Sequence, residues 1–146
     1  MEYTLSVTDV EDPANRLAIA CSLVEYNTSL AGPSQYRHLA VLLRDLAGNV
    51  VGGMWGNTAY DWLTIYLLAV PATLRGQGIG TELMQLAESA AAARGCHGVW
   101  LDTLEFQARG FYEHIGYVCF GELPHYPSGY SKYFMKKEIG ASRGAL

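Results

Sequence analysis

The spacing of apolar and polar positions near the N-terminus predicts a strand followed by a helix. Residues 3–8 alternate between the two kinds of side chain, which is typical of a strand. Asp12 and Pro13 are typical of a helix start, because Asp caps free N–H groups and Pro fits the first turn. Apolar residues then recur at helical spacing over residues 17–24, and Gly32-Pro33 ends the segment.

Three strands are predicted in the middle of the chain. Residues 38–44 and 50–55 are apolar-rich and flank the polar turn 45–49, which predicts a hairpin. Gly52-Gly53 weakens the second of these strands, so we expect a bulge or a close backbone neighbour there. Residues 60–70 show little alternation, as in a strand at the centre of a sheet.

The clearest predicted helix opens in the loop 71–78. Arg94 suits its last turn, where a cation meets the negative end of the helix, and Gly95 is placed to close it in a left-handed conformation. One apolar face at helical spacing is expected to pack on the core. Its members are Ile79, Leu83, Leu86, Ala87 and Ala90.

The C-terminal third adds a strand at 98–103, a helix at 106–115 and strands at 117–122 and 130–136. The whole order, β-α-β-β-β-α-β-α-β-β, predicts an α/β or α+β domain built on a mixed sheet. A length of 146 residues predicts a single domain.

Composition and charge exclude several classes of protein. Half of the residues are apolar and 16% are charged, which supports a packed core. A net charge of −4 argues against nucleic-acid binding, and no apolar run is long enough for a membrane span. The N-terminus lacks the pattern of a signal peptide, so a cytoplasmic protein is expected. Three widely spaced cysteines without a CxxC pair predict no metal site.

A glycine-rich loop precedes the clearest helix and is suited to bind phosphate. It reads Arg75-Gly76-Gln77-Gly78-Ile79-Gly80 and lies where unpaired N–H groups and the helix dipole favour an anion. Both the Walker spacing and the dinucleotide spacing fail, because each needs a glycine where Thr81 stands. The spacing that fits is Arg-x-x-Gly-x-Gly.

With these residues the chain resembles the GCN5-related N-acetyltransferase (GNAT) family. The segment Leu-Ala-Val-Pro-Ala-Thr-Leu-Arg-Gly-Gln-Gly-Ile-Gly at 68–80 is similar to the family's acetyl-CoA motif. Ala-Arg-Gly-Phe-Tyr-Glu-His-Ile-Gly-Tyr at 108–117 is similar to its second signature. The match of elements covers residues 3–138. It implies one domain over 1–146, with a central mixed, mostly antiparallel, splayed sheet of about seven strands flanked by helices.

The resemblance implies acetyl-CoA as cosubstrate, with no metal. The end of the preceding strand would bind the pantetheine arm through its backbone, and the loop would bind the diphosphate through its N–H groups. A backbone N–H near Val70 would stabilise the oxyanion. The implied cofactor-binding residues are Leu68, Ala69, Val70, Arg75, Gly76, Gln77, Gly78, Ile79, Gly80 and Thr81.

The resemblance also implies catalytic residues. Tyr112 would act as general acid for the departing thiolate; the alternative is a packing aromatic beside Phe111. The family often has Asn where this chain has Glu105. Asp102 and Glu105 are therefore the first candidates for the general base or the amine anchor. Other candidates for the base are Glu122, His125 and water.

The implied reaction moves an acetyl group to the primary amine of a small molecule by direct attack, through a tetrahedral intermediate. The candidate acceptor-binding residues are Trp55, Tyr60 and Tyr126, since aromatic faces hold an ammonium or a flat ring. Two other interpretations stay open. One is a non-catalytic acyl-CoA-binding or sensor domain, and the other is an acetyltransferase acting on a protein amine. A homodimer is the oligomeric state that is common in the family.

Overall fold

One helix, three strands, a second helix, a strand, a third helix and two strands follow one another in the computed structural model, which describes residues 1–140. The predicted domain, 1–146, extends past the described residues by its last six positions. The chain forms two units, Met1–Ser34 and the part from Gln35 onward. Every strand of the described chain belongs to the second unit.

The first unit contains helix α1, Pro13–Ala31. The Asp12 carboxylate accepts a hydrogen bond from the N–H of Ala14 at 2.9 Å, and Gly32 ends the helix at φ 78°. Both ends are as predicted. The strand expected at residues 3–8 is wrong: these residues are exposed and belong to no strand, because no neighbouring strand pairs with their backbone.

The described part of the second unit, up to residue 140, is a six-stranded sheet with two α-helices. The sheet order is β1-β2-β3-β4-β6-β5, in which β3 and β4 are parallel and all other neighbours are antiparallel. This confirms the predicted α/β class and mixed sheet. The described chain has six strands, whereas about seven were expected. The elements are β1 (Arg37–Arg44), β2 (Val50–Ala59), β3 (Trp62–Ala69), α2 (Ile79–Ala93), β4 (Gly98–Leu104), α3 (Arg109–His114), β5 (Val118–Pro124) and β6 (Ser131–Glu138).

Several predicted boundaries differ from the structure; the strand expected at 50–55, for example, continues to Ala59. The long strand expected at 60–70 starts only at Trp62, because Tyr60 and Asp61 form the β2–β3 turn at φ 48° and 66°. The helix expected at 106–115 is shortened to α3, since Gln107 belongs to the turn before it and donates from its N–H to Leu104. The close backbone neighbour expected at Gly52-Gly53 is confirmed, because a Cβ at Gly53 would collide with the carbonyl oxygen of Val41.

The core of the second unit lies between α2 and strands β1 to β4. Leu83 and Ala87 of the predicted apolar face are buried, but Leu86 is exposed. The buried stripe instead includes Met84 and Ala91, so the face is rotated by about one residue towards Met84. Gly95 follows the helix at φ 83°, as predicted. This packing fixes the position of the helix start, where the glycine-rich loop lies.

Candidate functional site

The parallel strands β3 and β4 separate halfway along their length. Their pairing runs only from Trp62–Gly98 to Ile65–Leu101. Directly after this last pair, the register of β2 against β3 shifts. Trp55 pairs with Leu67 and Gly56 with Ile65, so Tyr66 has no partner in β2 and forms a β-bulge. A Cβ at Gly56 would collide with the carbonyl oxygen of Thr64, so the irregular pairing depends on glycine there. Because a bulge bends its strand, β3 leaves β4 at this point.

The separation leaves one edge of β3 without a partner strand. Leu67, Leu68 and Ala69 still pair with β2 on their other side. Across the gap, β4 continues to Leu104 and pairs with β6. The N–H and C=O groups on the open edge of β3 are therefore suited to pair with an extended ligand.

The glycine-rich loop follows directly from this open edge. The first N–H of α2 that reaches a backbone carbonyl is that of Glu82, which donates to Gly78 at 3.1 Å. Within residues 1–140, the N–H groups of residues 76–81 have no hydrogen-bond acceptor. Gly76 and Gly78 have φ of 78° and 81°, with open space where a Cβ would lie. The loop therefore presents free donors and the positive end of a helix, which fits a diphosphate.

Arg75 holds the loop against the end of β3. Its Nε donates to the carbonyl oxygen of Val70 at 3.1 Å. A short 3₁₀ turn, Ala72–Leu74, lies between the two residues. The arginine of the motif thus has an internal role: it fixes the turn that leads from the open strand edge to the free N–H groups.

Tyr112 lies in α3 and is buried, with 6% of its surface exposed. Its ring contacts the rings of Phe111 and Tyr117 edge-to-face, with centroid distances of 5.1 and 5.8 Å. Burial, and secondarily the negative charge of Asp102, raises the pKa of Tyr112 to about 12. The phenol therefore stays protonated at neutral pH and can donate a proton.

The candidate carboxylates gather around the start of β6. Glu105 accepts hydrogen bonds from the N–H of Ser131 at 3.2 Å and from the hydroxyl of Tyr133 at 3.3 Å. Asp102 forms an ion pair with Lys132 at 3.4 Å. The fourth candidate base, His125, lies in the neighbouring β5–β6 loop at φ 59°. The structure thus brings Asp102 and Glu105 to the same end of the sheet as the open edge of β3.

A third carboxylate belongs to the same group. Glu122 of β5 accepts a hydrogen bond from the hydroxyl of Ser131 at 2.7 Å. The three residues that hold these acids, namely Ser131, Lys132 and Tyr133, were not predicted from the sequence. Only the strand register brings them there, because Thr103 pairs with Tyr133 and Leu104 with Lys132.

The three aromatic candidates do not come together. Tyr126 lies in the β5–β6 loop, where the Nζ of Lys132 is 3.9 Å from its ring centroid. Trp55 packs on His38, with a centroid distance of 4.2 Å, and pairs with Leu67 near the open edge. Tyr60 lies in the β2–β3 turn, at the opposite end of β3 from the loop. Tyr126 and Trp55 are therefore better placed than Tyr60 to meet an acceptor.

The structure also limits other kinds of site. In residues 1–140, no group of three or more His, Cys, Asp or Glu side chains is arranged to hold a metal ion. No helix in the same part of the chain is both long enough and apolar enough to span a bilayer.

Comparison with known proteins agrees with this geometry. The chain is 39% identical to acetyltransferase Atu2258 of Agrobacterium fabrum over 95% of this chain and 100% of that one. It is 39% identical to a blasticidin-S acetyltransferase of Streptomyces morookaense, over 63% of this chain and 68% of that one. A crystal structure described as an acetyltransferase from Agrobacterium tumefaciens superposes with a TM-score of 0.86, at 39% identity, over 94% of this chain and 99% of that one.

The fold and these relatives define an acyltransferase. The chain belongs to the acetyltransferase (GNAT) family, whose model matches residues 8–117. The resemblance drawn from the two sequence motifs is thereby confirmed.

Proposed function

We propose that this acetyltransferase moves the acetyl group of acetyl-CoA to a primary amine of a small molecule. The observation that carries the proposal is the continuity of two binding features. The unpaired edge of β3, over residues 66–69, leads directly into the loop whose N–H groups at 76–81 lack acceptors in the described chain. An extended arm ending in a diphosphate matches this order of an open strand edge followed by an anion site.

The residues that would hold the coenzyme follow from this order. Leu68, Ala69 and Val70 would bind its pantetheine arm through backbone groups. The residues that would bind the diphosphate are Arg75, Gly76, Gln77, Gly78, Ile79, Gly80 and Thr81. Within this last set Arg75 acts by holding the carbonyl of Val70, while the others present N–H groups.

Two groups of the chain would act on the thioester. The coenzyme supplies an activated acetyl group as a thioester. The N–H of Val70, which has no acceptor in residues 1–140, would stabilise negative charge on the carbonyl oxygen. Tyr112 would donate its proton to the departing thiolate, because its raised pKa of about 12 keeps the phenol protonated.

The amine must lose a proton before it attacks the acetyl carbon directly. Asp102 and Glu105 are the proposed base or amine anchor, because both lie at the end of β4 beside the open edge. Asp102 has a side-chain partner, Lys132, whereas one partner of Glu105 is a backbone N–H. Asp102 can therefore exchange its partner for a substrate ammonium more easily than Glu105.

The acceptor is proposed to be a small cationic amine. The group of carboxylates at the start of β6 would attract a cation, and Tyr126 offers an aromatic face beside Lys132. Trp55 would contribute from β2, where it pairs with Leu67 at the open edge of β3. The relative named for blasticidin S supports a small-molecule acceptor. Tyr60 stays a candidate of the same kind at the far end of β3.

The test measures release of free thiol from acetyl-CoA with a panel of amines that includes blasticidin S, aminoglycosides, polyamines and amino acids. We expect turnover of at least one amine, and we expect Tyr112→Phe to lower kcat roughly a hundredfold or more. Calorimetry should show that Tyr112→Phe keeps the parent's affinity for acetyl-CoA, whereas Gly78→Val loses it. Turnover by Tyr112→Phe at the parent rate would contradict the catalytic role.

A non-catalytic acyl-CoA-binding domain is the second candidate. It is favoured by one observation: the carboxylates of Asp102, Glu105 and Glu122 all have partners within the chain. Tight binding of acetyl-CoA without turnover of any small amine or peptide amine would favour it. Turnover of a peptide amine alone would instead favour a protein acceptor. A homodimer, as is common in the family, is also proposed, and sedimentation at micromolar concentration tests it.

A further inference from the structure

The carboxylate of Glu88 forms a link between α2 and the segment after α3. It accepts a hydrogen bond from the hydroxyl of Tyr117 at 3.2 Å, and the Nζ of Lys137 lies 2.7 Å from its Oε1. The side chain of Glu88 is 12% exposed. Glu88 lies ten positions after Gly78, about 15 Å along the helix, so it does not touch the glycine-rich loop.

Tyr117 connects this carboxylate to Tyr112. The N–H of Tyr117 donates to the carbonyl oxygen of Tyr112 at 2.9 Å. The two rings contact edge-to-face, and Tyr117 is 2% exposed, so neither ring has room to move alone. Burial, with the charge of Glu88, raises the pKa of Tyr117, which keeps its hydroxyl protonated as the donor to Glu88.

Lys137 of β6 is the third member of the group that Glu88 and Tyr117 form. It is paired with Glu88, and its Nζ lies 5.8 Å from the ring centroid of Tyr117. Gly116, at φ 101°, carries the chain past the methylene groups of Lys137, which would lie 3.4 Å from a Cβ at this position. A largely buried ion pair contributes little net stability, so its geometric effect on Tyr117 is of more interest than its strength.

A second contact joins α2 to α3 through Phe111, the other ring in contact with Tyr112. Phe111 packs on the backbone of Gly80 in the first turn of α2, where a Cβ would lie 3.2 Å from the ring. The helix that starts at the glycine-rich loop therefore holds both neighbours of Tyr112, one at Gly80 and one at Glu88. One rigid element thus relates the phenol to the loop.

We propose that Glu88 is a positioning residue that holds the phenol of Tyr112 in place through Tyr117. The proposal rests on the proposed catalytic role of Tyr112. Loss of the Glu88 charge releases Lys137 and weakens the hold on Tyr117, so Tyr112 would be displaced while the glycine-rich loop stays intact.

The test compares Glu88→Gln and Tyr117→Phe with the control Glu113→Gln. Glu113 follows Tyr112 in the chain and forms an exposed ion pair with Arg109 in α3. The control therefore also replaces a glutamate by glutamine, but it leaves the contacts of α2 unchanged. Both test variants are expected to lower kcat about tenfold with an unchanged KM for acetyl-CoA, since small displacements of a catalytic group cost rate. The control is expected to match the parent.

A double-variant measurement separates positioning from general stability. In a Tyr112→Phe background, Glu88→Gln should cause no further fall in kcat. A further tenfold fall there would overturn the proposal, because Glu88 would then act independently of the phenol. If Glu88→Gln fails to fold, Tyr117→Phe provides the same comparison, as it keeps the ring and removes only the hydroxyl.

A spectroscopic measurement separates this proposal from the proposed function. In protein labelled with ¹³Cζ-tyrosine, the Tyr112 resonance is assigned by its loss in Tyr112→Phe. It should shift in Glu88→Gln and Tyr117→Phe and stay in place in Glu113→Gln. An unmoved resonance in both test variants overturns the positioning role, whatever the activity. A shifted resonance supports it even if Tyr112→Phe shows that the phenol is not catalytic.

Discussion

The ring of Phe111 lies so close to Gly80 that a Cβ on this glycine would be 3.2 Å from the ring's Cζ. An alanine at an exposed helical glycine normally stabilises by about 1 kcal/mol. Gly110 provides the matched control, because a Cβ there would meet open space beyond its own chain neighbours and helix backbone. We expect Gly110→Ala to raise the free energy of unfolding and Gly80→Ala not to raise it.

The gain should return when the ring is made smaller. In a Phe111→Leu background, Gly80→Ala should again stabilise by about 1 kcal/mol relative to Phe111→Leu alone. Urea unfolding measures all three comparisons. Equal gains at Gly80 and Gly110 in the parent chain would show that the ring does not restrict Gly80.

The bulge that separates β3 from β4 depends on Gly56. A Cβ there would collide with the carbonyl oxygen of Thr64, so Gly56→Ala must shift the backbone of one strand. We expect a loss of about 2 kcal/mol or more in the free energy of unfolding. We also expect weaker binding of acetyl-CoA by calorimetry, because the open edge of β3 would change. Parent-like affinity in a folded Gly56→Ala protein would separate the bulge from coenzyme binding.

The side chain of Asp12 caps α1. Its carboxylate accepts a hydrogen bond from the N–H of Ala14, so Asp12→Ala leaves that donor without an acceptor in the helix. The expected cost is about 1 kcal/mol in the stability of α1. Hydrogen exchange of residues 14–20 should become faster in Asp12→Ala and remain near the parent rate in Asp12→Asn. Unchanged exchange in Asp12→Ala would mean that the cap contributes nothing in solution.

The raised pKa of Tyr112, about 12, predicts a stability change at alkaline pH. The folded chain disfavours the phenolate, so this contribution is complete below the unfolded pKa of about 10 and is lost as the pH rises towards 12. The difference of about two between the folded and unfolded pKa values corresponds to about 3 kcal/mol of stability. Between pH 9 and about 11.5, the free energy of unfolding measured in urea should fall less in Tyr112→Phe than in the parent.

A control variant and a second tyrosine complete this experiment. Tyr66 is 62% exposed, so Tyr66→Phe should fall in stability as the parent does. Tyr117 also has a raised pKa, from burial and from Glu88, so some fall should remain in Tyr112→Phe. Identical slopes in the parent and in Tyr112→Phe would contradict the raised pKa.

Local signals in the sequence predicted both ends of α1, the C-terminal end of α2 and the glycine-rich loop. Asp12 with Pro13 marked the start of α1, and Gly95 marked the end of α2, because caps depend on a few adjacent residues. The same reasoning failed at Leu86, since the direction of an apolar face is decided by what packs on it. The strand at residues 3–8 failed for a related reason: alternation does not supply a pairing partner.

The candidate site was predictable in its motifs but not in its contacts. The open edge of β3 could not be read from the sequence, because it depends on a register shift between Gly56 and Tyr66. The ion pair of Asp102 with Lys132 joins residues 30 positions apart and follows from the β4–β6 register. The link from Glu88 to Tyr117 likewise requires α2 and the segment between α3 and β5 to be placed in space.

The short pairing between β3 and β4 has a consequence for cooperativity. Four residue pairs join two antiparallel halves of the sheet, β1-β2-β3 and β4-β6-β5, beneath α2. A molecule bound along the free edge of β3 would lie at this seam. Its binding would couple the two halves during denaturation, so occupancy would be measured as a steeper unfolding transition as well as a higher midpoint.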